Sequence, residues 1–140
     1  MDISNDIVRT AVRAIITDPE DRILILKRQN SAYCNGWWNL PGGKIDYKQT
    51  AEEAIVREIQ EETQLDCNVA QFLFYMDNLP SAEYNSHFLT LFFHCRCTGN
   101  FRINDESSEY HWLESDEMES FRLAFEHDAA IRQYRHQSYR

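Results

Sequence analysis

Residues 42–65 read GGKIDYKQTAEEAIVREIQEETQL, and this stretch decides the fold. Thr50 followed three residues later by Glu53 is a capping-box pattern, in which each side chain satisfies the other's free backbone N–H. It predicts a helix over residues 50–63. At about 100° per residue, with Glu58 set at zero, Glu62 falls near about +40° and Glu61 near about −60°. Ala51, Ala54 and Ile55 lie on the same arc, at about +20°, −40° and +60°. Glu52, Glu53, Gln60 and Val56 take the opposite arc. Glu52 and Glu53 therefore read as solvated acids, whereas Glu58, Glu61 and Glu62 share the face expected to pack toward the protein. Carboxylates ~4–6 Å apart at an effective dielectric of ~20 repel by roughly 3–4 kcal/mol per pair. Folding must raise their pKa values or bring in a cation. All-oxygen donors favour hard Mg2+, Mn2+ or Ca2+ over zinc. The competing reading is an acidic face covered by water, with Arg57 as its partner.

Outward from the helix the chain alternates strand and turn signals. Residues 7–17 (IVRTAVRAIIT) are rich in β-branched side chains and predict a strand. Asp18-Pro19-Glu20-Asp21 is a turn, and the apolar run 23–26 predicts the returning strand of a hairpin. Residues 29–43, with Asn, Ser, Gly and Pro, read as a loop. Strands are expected over 69–76, 88–97 and 110–113. In the second of these, Leu89, Leu91, Phe93, Cys95 and Cys97 alternate with Thr90, His94 and Arg96. Residues 121–134 read as a closing helix with Phe121, Phe125 and Ala129 at i, i+4 spacing. Strands on either side of one helix, with a second helix at the end, predict a mixed sheet between helices. With no internal repeat or linker, residues 1–140 read as a single domain.

Immediately before the helix, Leu40-Pro41-Gly42-Gly43-Lys44 places two glycines where a backbone can closely approach a ligand, and Lys44 supplies a point charge for phosphate. Taken whole, the segment resembles the signature of the Nudix hydrolases, G-x5-E-x7-R-E-U-x-E-E-x-G-U with U aliphatic. Gly43, Arg57, Glu58, Ile59, Glu61, Glu62 and Leu65 fall in register, and WWNLPGGK resembles the usual lead-in. Two positions depart: Gln49 stands where the family has its first glutamate, and Gln64 stands where it has a glycine. The family's first glutamate braces the loop by pairing with the motif arginine. Gln49 is expected to accept from Arg57 instead, without charge assistance. Gln64 must serve a helix end where positive φ is often wanted.

The resemblance implies an α/β/α sandwich and hydrolysis of a pyrophosphate bond in a nucleoside diphosphate linked to a further group. It also implies Mg2+, with Mn2+ as a substitute, held by Glu58 and Glu62, with Glu61 beside them and a carbonyl of Gly42 or Gly43 as a further ligand. A later-loop glutamate, Glu106 ahead of Glu109, joins as metal ligand or general base, and Glu61 is the other candidate base. Arg57 supports the catalytic glutamates. In MutT-like members an arginine at the spacing of Arg28 contacts phosphate, which makes Arg28 and Lys44 the phosphate candidates. Tyr33, Trp37 and Trp38 offer rings for stacking on a base, with Trp38 and Tyr33 preferred, and Asn39 and Asn78 could read a base edge. A nucleoside triphosphate, including oxidised forms, is the expected substrate. ADP-ribose or another nucleotide sugar is the alternative. A catalytically weak nucleotide-binding sensor is the alternative of another class, suggested by Gln49 and Gln64. Homodimers occur in the family.

Composition narrows the remaining classes. The chain has 140 residues, 43% hydrophobic, enough to bury a core. A net charge of −9 argues against binding nucleic acid polymers. No apolar run of transmembrane length or signal-peptide type is present, so a cytoplasmic setting is expected. The four cysteines lack a C-x-x-C spacing and read as apolar core thiols; Cys95 and Cys97 would share one strand face. The five histidines show no zinc-ligand spacing.

Overall fold

The computed structural model describes residues 7–137. Its elements are β1 (Val8–Ile16), β2 (Ile23–Arg28), β3 (Trp38–Asn39), β4 (Gly42–Lys44), α1 (Ala51–Thr63), β5 (Asp66–Asn78), β6 (His87–Thr98), β7 (Ser107–Leu113) and α2 (His127–His136), with a 3-10 turn at Met118–Ser120. One sheet has the order β4-β1-β6-β5, parallel between β1 and β6 and antiparallel elsewhere. The other, β3-β2-β7, is antiparallel. This is the mixed α/β/α sandwich that the pattern of elements predicts.

Two apolar clusters hold the layers together. Ala54, Ile55 and Ile59 of α1 pack with Val12, Ala14 and Ile16 of β1 and Leu24 and Leu26 of β2. Ala130, Ile131 and Tyr134 of α2 pack with Ile15, Ile23, Ile25, Phe92 and Leu113. Strand β2 serves both clusters, so Ile23, Leu24, Ile25 and Leu26 are all fully buried. A strand covered on both faces reads as an unbroken apolar run, and each such side chain contributes roughly 1.5–3 kcal/mol. Strand β1 alternates: one face goes to α1, while Arg9, Ala11 and Arg13 face the other side.

Three local expectations need correction. The turn at Asp18 to Asp21 does reverse the chain, with Asp18 Oδ1 accepting from the Glu20 and Arg22 amides. The two strands do not form a hairpin ladder, however. They join only at the bridge Thr17 to Ile23, and β2 then crosses into the second sheet. The supposed loop 29–43 contains β3 and most of β4, both too short to give a period. The closing helix begins at His127, because Phe125 and Glu126 both adopt left-handed backbone, which interrupts any helix through them.

Helix α1 is capped as expected. Thr50 accepts from the Glu53 amide while the Glu53 carboxylate accepts from the Thr50 amide. At its other end Gln64 is left-handed, with φ of 62° and its N–H donating to Gln60 O. A glutamine therefore occupies the conformation that a glycine adopts without steric cost. Gln64→Gly is expected to raise the unfolding free energy by about 0.5–1 kcal/mol. Denaturant unfolding at constant m-value checks this, and a loss of stability would count against the strain.

Candidate active site

A cavity of about 570 Å³ opens beside β4, lined among others by Arg9, Arg13, Arg28, Tyr33, Gly43, Lys44, Glu58 and Glu106. Strand and helix spacing explain how these distant residues meet. Gly42 and Gly43 pair with Arg13 and Val12 of β1. A Cβ on Gly42 would lie 2.0 Å from the Val12 carbonyl oxygen, and one on Gly43 would lie 2.7 Å from the Glu58 carboxyl carbon. Gly42 is thus closed to a side chain by the backbone of β1, whereas a side chain at Gly43 would have to displace the Glu58 carboxylate. The Gly42 amide donates to Glu62 Oε2 at 3.2 Å.

The acidic face divides more finely than the wheel predicts. Glu62 is 6% exposed and hydrogen-bonded to Glu58 one turn earlier. Burial, then that bond to Glu58, pushes the Glu62 carboxyl well above its ordinary value, against the opposing pull of Arg13. The Glu61 side chain is 57% exposed and turns toward Arg57, 3.7 Å away. The buried arc of α1 is centred near Ile59 and Glu62, which leaves Glu61 outside it. The expectation that all three acids face inward is therefore corrected for Glu61.

Arg57 donates to Asp46 at 2.6 Å and to Glu58 Oε1 at 2.9 Å. Gln49 does not meet Arg57. Its side-chain oxygen accepts from the Asp46 amide at 3.0 Å and so folds the loop that presents Asp46. The charge missing at Gln49 is supplied by Asp46. Sequence register hid this exchange, because Asp46 lies three positions from the motif glutamate.

Arg28 is held from several sides. Its guanidinium donates to Tyr33 O and Ser31 Oγ. Asn39, with its amide oriented to complement its neighbours, accepts from Arg28 Nη1 at 2.6 Å and donates to Leu26 O. Asn78 donates to Phe125 O and accepts from Thr90 Oγ1. Both asparagines are thus engaged within the protein. Glu106 reaches the cavity because Gln29 N donates to its carbonyl, while Asn104 Nδ2 donates to Glu61 O at the end of α1. Glu109 lies on β7 and pairs with Lys27 at 3.1 Å.

Trp38 does not line the cavity. It packs edge-on against Phe121 and His111, with Lys27 over its ring. Trp37 lies under Arg122, 3.6 Å from the ring centroid. Neither ring lines the cavity. The aromatic lining instead comes from Tyr33, Tyr84, Phe88 and Phe125.

Several lining residues escaped the sequence reading, Arg9, Tyr84 and Phe88 among them, and three are held in place by contacts of their own. Arg13 donates to Leu40 O at 2.8 Å, and its pKa is lowered to about 10, chiefly by burial, so it stays charged at neutral pH. Phe125 carries Arg28 at 4.7 Å and Arg13 at 5.5 Å from its ring centroid. His127 is buried, and its Nδ1 accepts from Leu40 N at 3.0 Å. Burial, with Arg13 and Arg28 nearby, holds His127 well below its usual value and keeps it neutral. The available signal for Arg13 was Arg9-x-x-x-Arg13, two arginines four residues apart and so on one face of a mostly apolar strand.

The donors suit a hard divalent cation in kind: carboxylate oxygens of Glu58 and Glu62 one turn apart, Glu62 buried and Glu58 held by Arg57, with Gly43 close against Glu58. Glu58 and Glu62 would hold it. Among the described residues no three His, Cys, Asp or Glu side chains form a group that could hold a metal ion; Glu61 turns instead to Arg57.

A family model described as the NUDIX domain matches residues 8–134. The chain belongs to the Nudix hydrolases, and it is a pyrophosphohydrolase of that family; its members generally use divalent metal ions. The ADP-ribose pyrophosphatase of Methanocaldococcus jannaschii is 31% identical over 120 residues, 85% of this chain and 69% of that protein. The 8-oxo-dGTP diphosphatase of Proteus vulgaris is 36% identical over 52 residues, 37% of this chain and 46% of that protein. A crystal structure of a MutT protein from Methanosarcina mazei Go1 superposes with a TM-score of 0.80 at 23% identity, covering 94% of this chain and 96% of that one, a likeness of fold.

Two measurements probe this arrangement. Asp46→Ala is expected to lower turnover up to about fivefold, as an exposed ion pair is worth up to about 1 kcal/mol. Adding Gln49→Glu should recover most of it; no recovery would show that Asp46 does not stand in for the motif glutamate. For His127, the unfolded chain binds a proton near pH ~6.5 that the folded chain refuses. Its stability contribution is present above that pH and lost as pH falls toward the lowered folded value. Thermal unfolding from about pH 8 to about pH 5 should show this loss, and His127→Gln should flatten it. An unchanged slope would exclude His127 as its source.

Proposed function

We propose that the chain is a Mg2+-dependent pyrophosphohydrolase acting on a nucleoside triphosphate, in the MutT-like manner, oxidised forms included. One observation carries the reading: a single cavity joins Glu58 and Glu106 to four cationic side chains, Arg9, Arg13, Arg28 and Lys44. A triphosphate brings more negative charge than a sugar-linked diphosphate and makes fuller use of these cations. Arg28 and Arg13, fixed by Phe125 and by carbonyl oxygens, bind and orient the phosphates as bidentate donors. Lys44 adds a point charge at the mouth. Tyr33 stands where a base would stack.

A divalent cation bound by Glu58 and Glu62, with a Gly43 carbonyl, would neutralise phosphate oxygens and lower the pKa of a bound water. Arg57 and Asp46 hold Glu58 at its angle. Glu106, which also lines the cavity, takes the proton from the attacking water in this reading as the bond to the leaving phosphate breaks. Its place on the cavity wall supports this role over Glu61, whose side chain turns to Arg57 and solvent. The second reading, ADP-ribose hydrolysis, is favoured by the long alignment with the Methanocaldococcus jannaschii ADP-ribose pyrophosphatase.

A substrate panel with Mg2+ or Mn2+ separates the readings by product. Pyrophosphate with a nucleoside monophosphate marks a triphosphate substrate, whereas AMP with ribose 5-phosphate marks ADP-ribose. Nucleotide binding without turnover across the panel would instead favour a sensor. Glu62→Gln should keep the fold, since it retains shape and removes a buried acid, and should cut Mg2+-dependent turnover at least about 100-fold. Unchanged turnover would rule out Glu62 as a ligand.

A further inference from the structure

Three of the four cysteines meet on the face of the first sheet that α1 covers, away from the cavity. Cys95 is buried in the cluster beneath α1, and Cys67 and Cys97 pack against it, partly exposed. Cys67 on β5 stands directly opposite Cys97 on β6 in the antiparallel ladder. Its thiol donates to Val69 O at 3.3 Å. Cys34 lies apart, in the loop after β2.

Register selects the pair. Directly opposed residues of an antiparallel ladder have Cα atoms about 4.5–5.5 Å apart. That falls inside the ~4.4–6.8 Å span of disulfides. Cys95 is opposite Ala70 and only diagonal to Cys67, a relation of about 7–8 Å that is too long to bridge without backbone movement. We propose that Cys67 and Cys97 are a reversible disulfide-forming pair, oxidised by a small hydroperoxide and reduced by a dithiol, with Cys95 as the buried thiol behind them.

The chemistry balances in two steps. The Cys67 thiolate attacks a peroxide oxygen, the O–O bond breaks, and Cys67 becomes a sulfenic acid as the leaving oxygen takes up the proton given up by the Cys67 thiol and departs as water or an alcohol. The Cys97 sulfur then attacks the Cys67 sulfur, the S–O bond breaks, and the hydroxyl departs as water with the Cys97 proton. One peroxide is reduced and two thiols are oxidised. Partial exposure gives the oxidant access to Cys67, and hydrogen bonds from Cys95 and Cys97 push its thiol down, toward the reactive thiolate. The pair sits just after the α1 cap, so oxidation would tie the start of β5 to the end of β6.

The test uses the natural chain. Reduced protein is treated with stoichiometric hydrogen peroxide, alkylated in denaturant and mapped by peptide mass spectrometry. The expected product is an intramolecular Cys67–Cys97 linkage in most chains, with Cys34 and Cys95 alkylated and full reversal by dithiothreitol. In Cys97→Ser, dimedone should label Cys67. Linkage through Cys34 or Cys95, crosslinks between chains, or full alkylation of Cys67 and Cys97 after peroxide would overturn the proposal. Mapping of the unsubstituted chain stands whether or not Cys97→Ser folds.

Discussion

Glu62 is an acid with almost no access to water, and the surroundings of the cavity are arranged around that fact. Its carboxyl group accepts from the Gly42 amide, bonds to Glu58 and lies in the field of Arg13. Each contact constrains another part of the chain. Gly42 must press against β1, a side chain at Gly43 would displace Glu58, and Arg13 must point from the sheet into the same space. A buried acid beside a second carboxylate is costly unless a cation or a proton joins it, even with Arg13 and Arg57 close by. A site built this way spends folding stability on a place for a charged ligand.

The frame that tolerates this cost is the doubly covered β2. Four consecutive side chains buried on alternating faces bind the two sheets and both helices into one packing unit. Because β2 ends at Arg28, the same strand that anchors both cores delivers a phosphate-binding candidate to the cavity edge. Strand β1 performs the parallel task for Arg9 and Arg13. The cavity thus lies where arginines project from mostly apolar strands, and its charged groups are fixed by elements whose stability comes from elsewhere.

The loop between β4 and α1 shows how a motif can keep its physics while changing its letters. Gln49 cannot neutralise Arg57, yet Arg57 is neutralised by Asp46 and Gln49 fixes the loop that carries Asp46. The helix end shows the converse: Gln64 keeps the left-handed geometry without the residue that suits it. Neither departure displaces Glu58 or Glu62, which weakens the case for a sensor that has lost catalysis.

Periodicity and capping in residues 50–63 determined α1, and fixed spacing determined the family and the glutamates that matter. These are local properties, set by 3.6-residue geometry and backbone hydrogen bonds within one segment. Alternation in β6 and the apolar run of β2 were legible for the same reason. Tertiary structure alone decided which acids of α1 are buried, because the buried arc depends on where β1 and β2 meet the helix. It also decided that Asp46 serves Arg57, that Trp38 belongs to the core, and that Arg13, Phe125 and His127 belong to the cavity. Those outcomes depend on sheet order and register between segments far apart in sequence, and nothing within a single segment encodes its neighbour across a sheet.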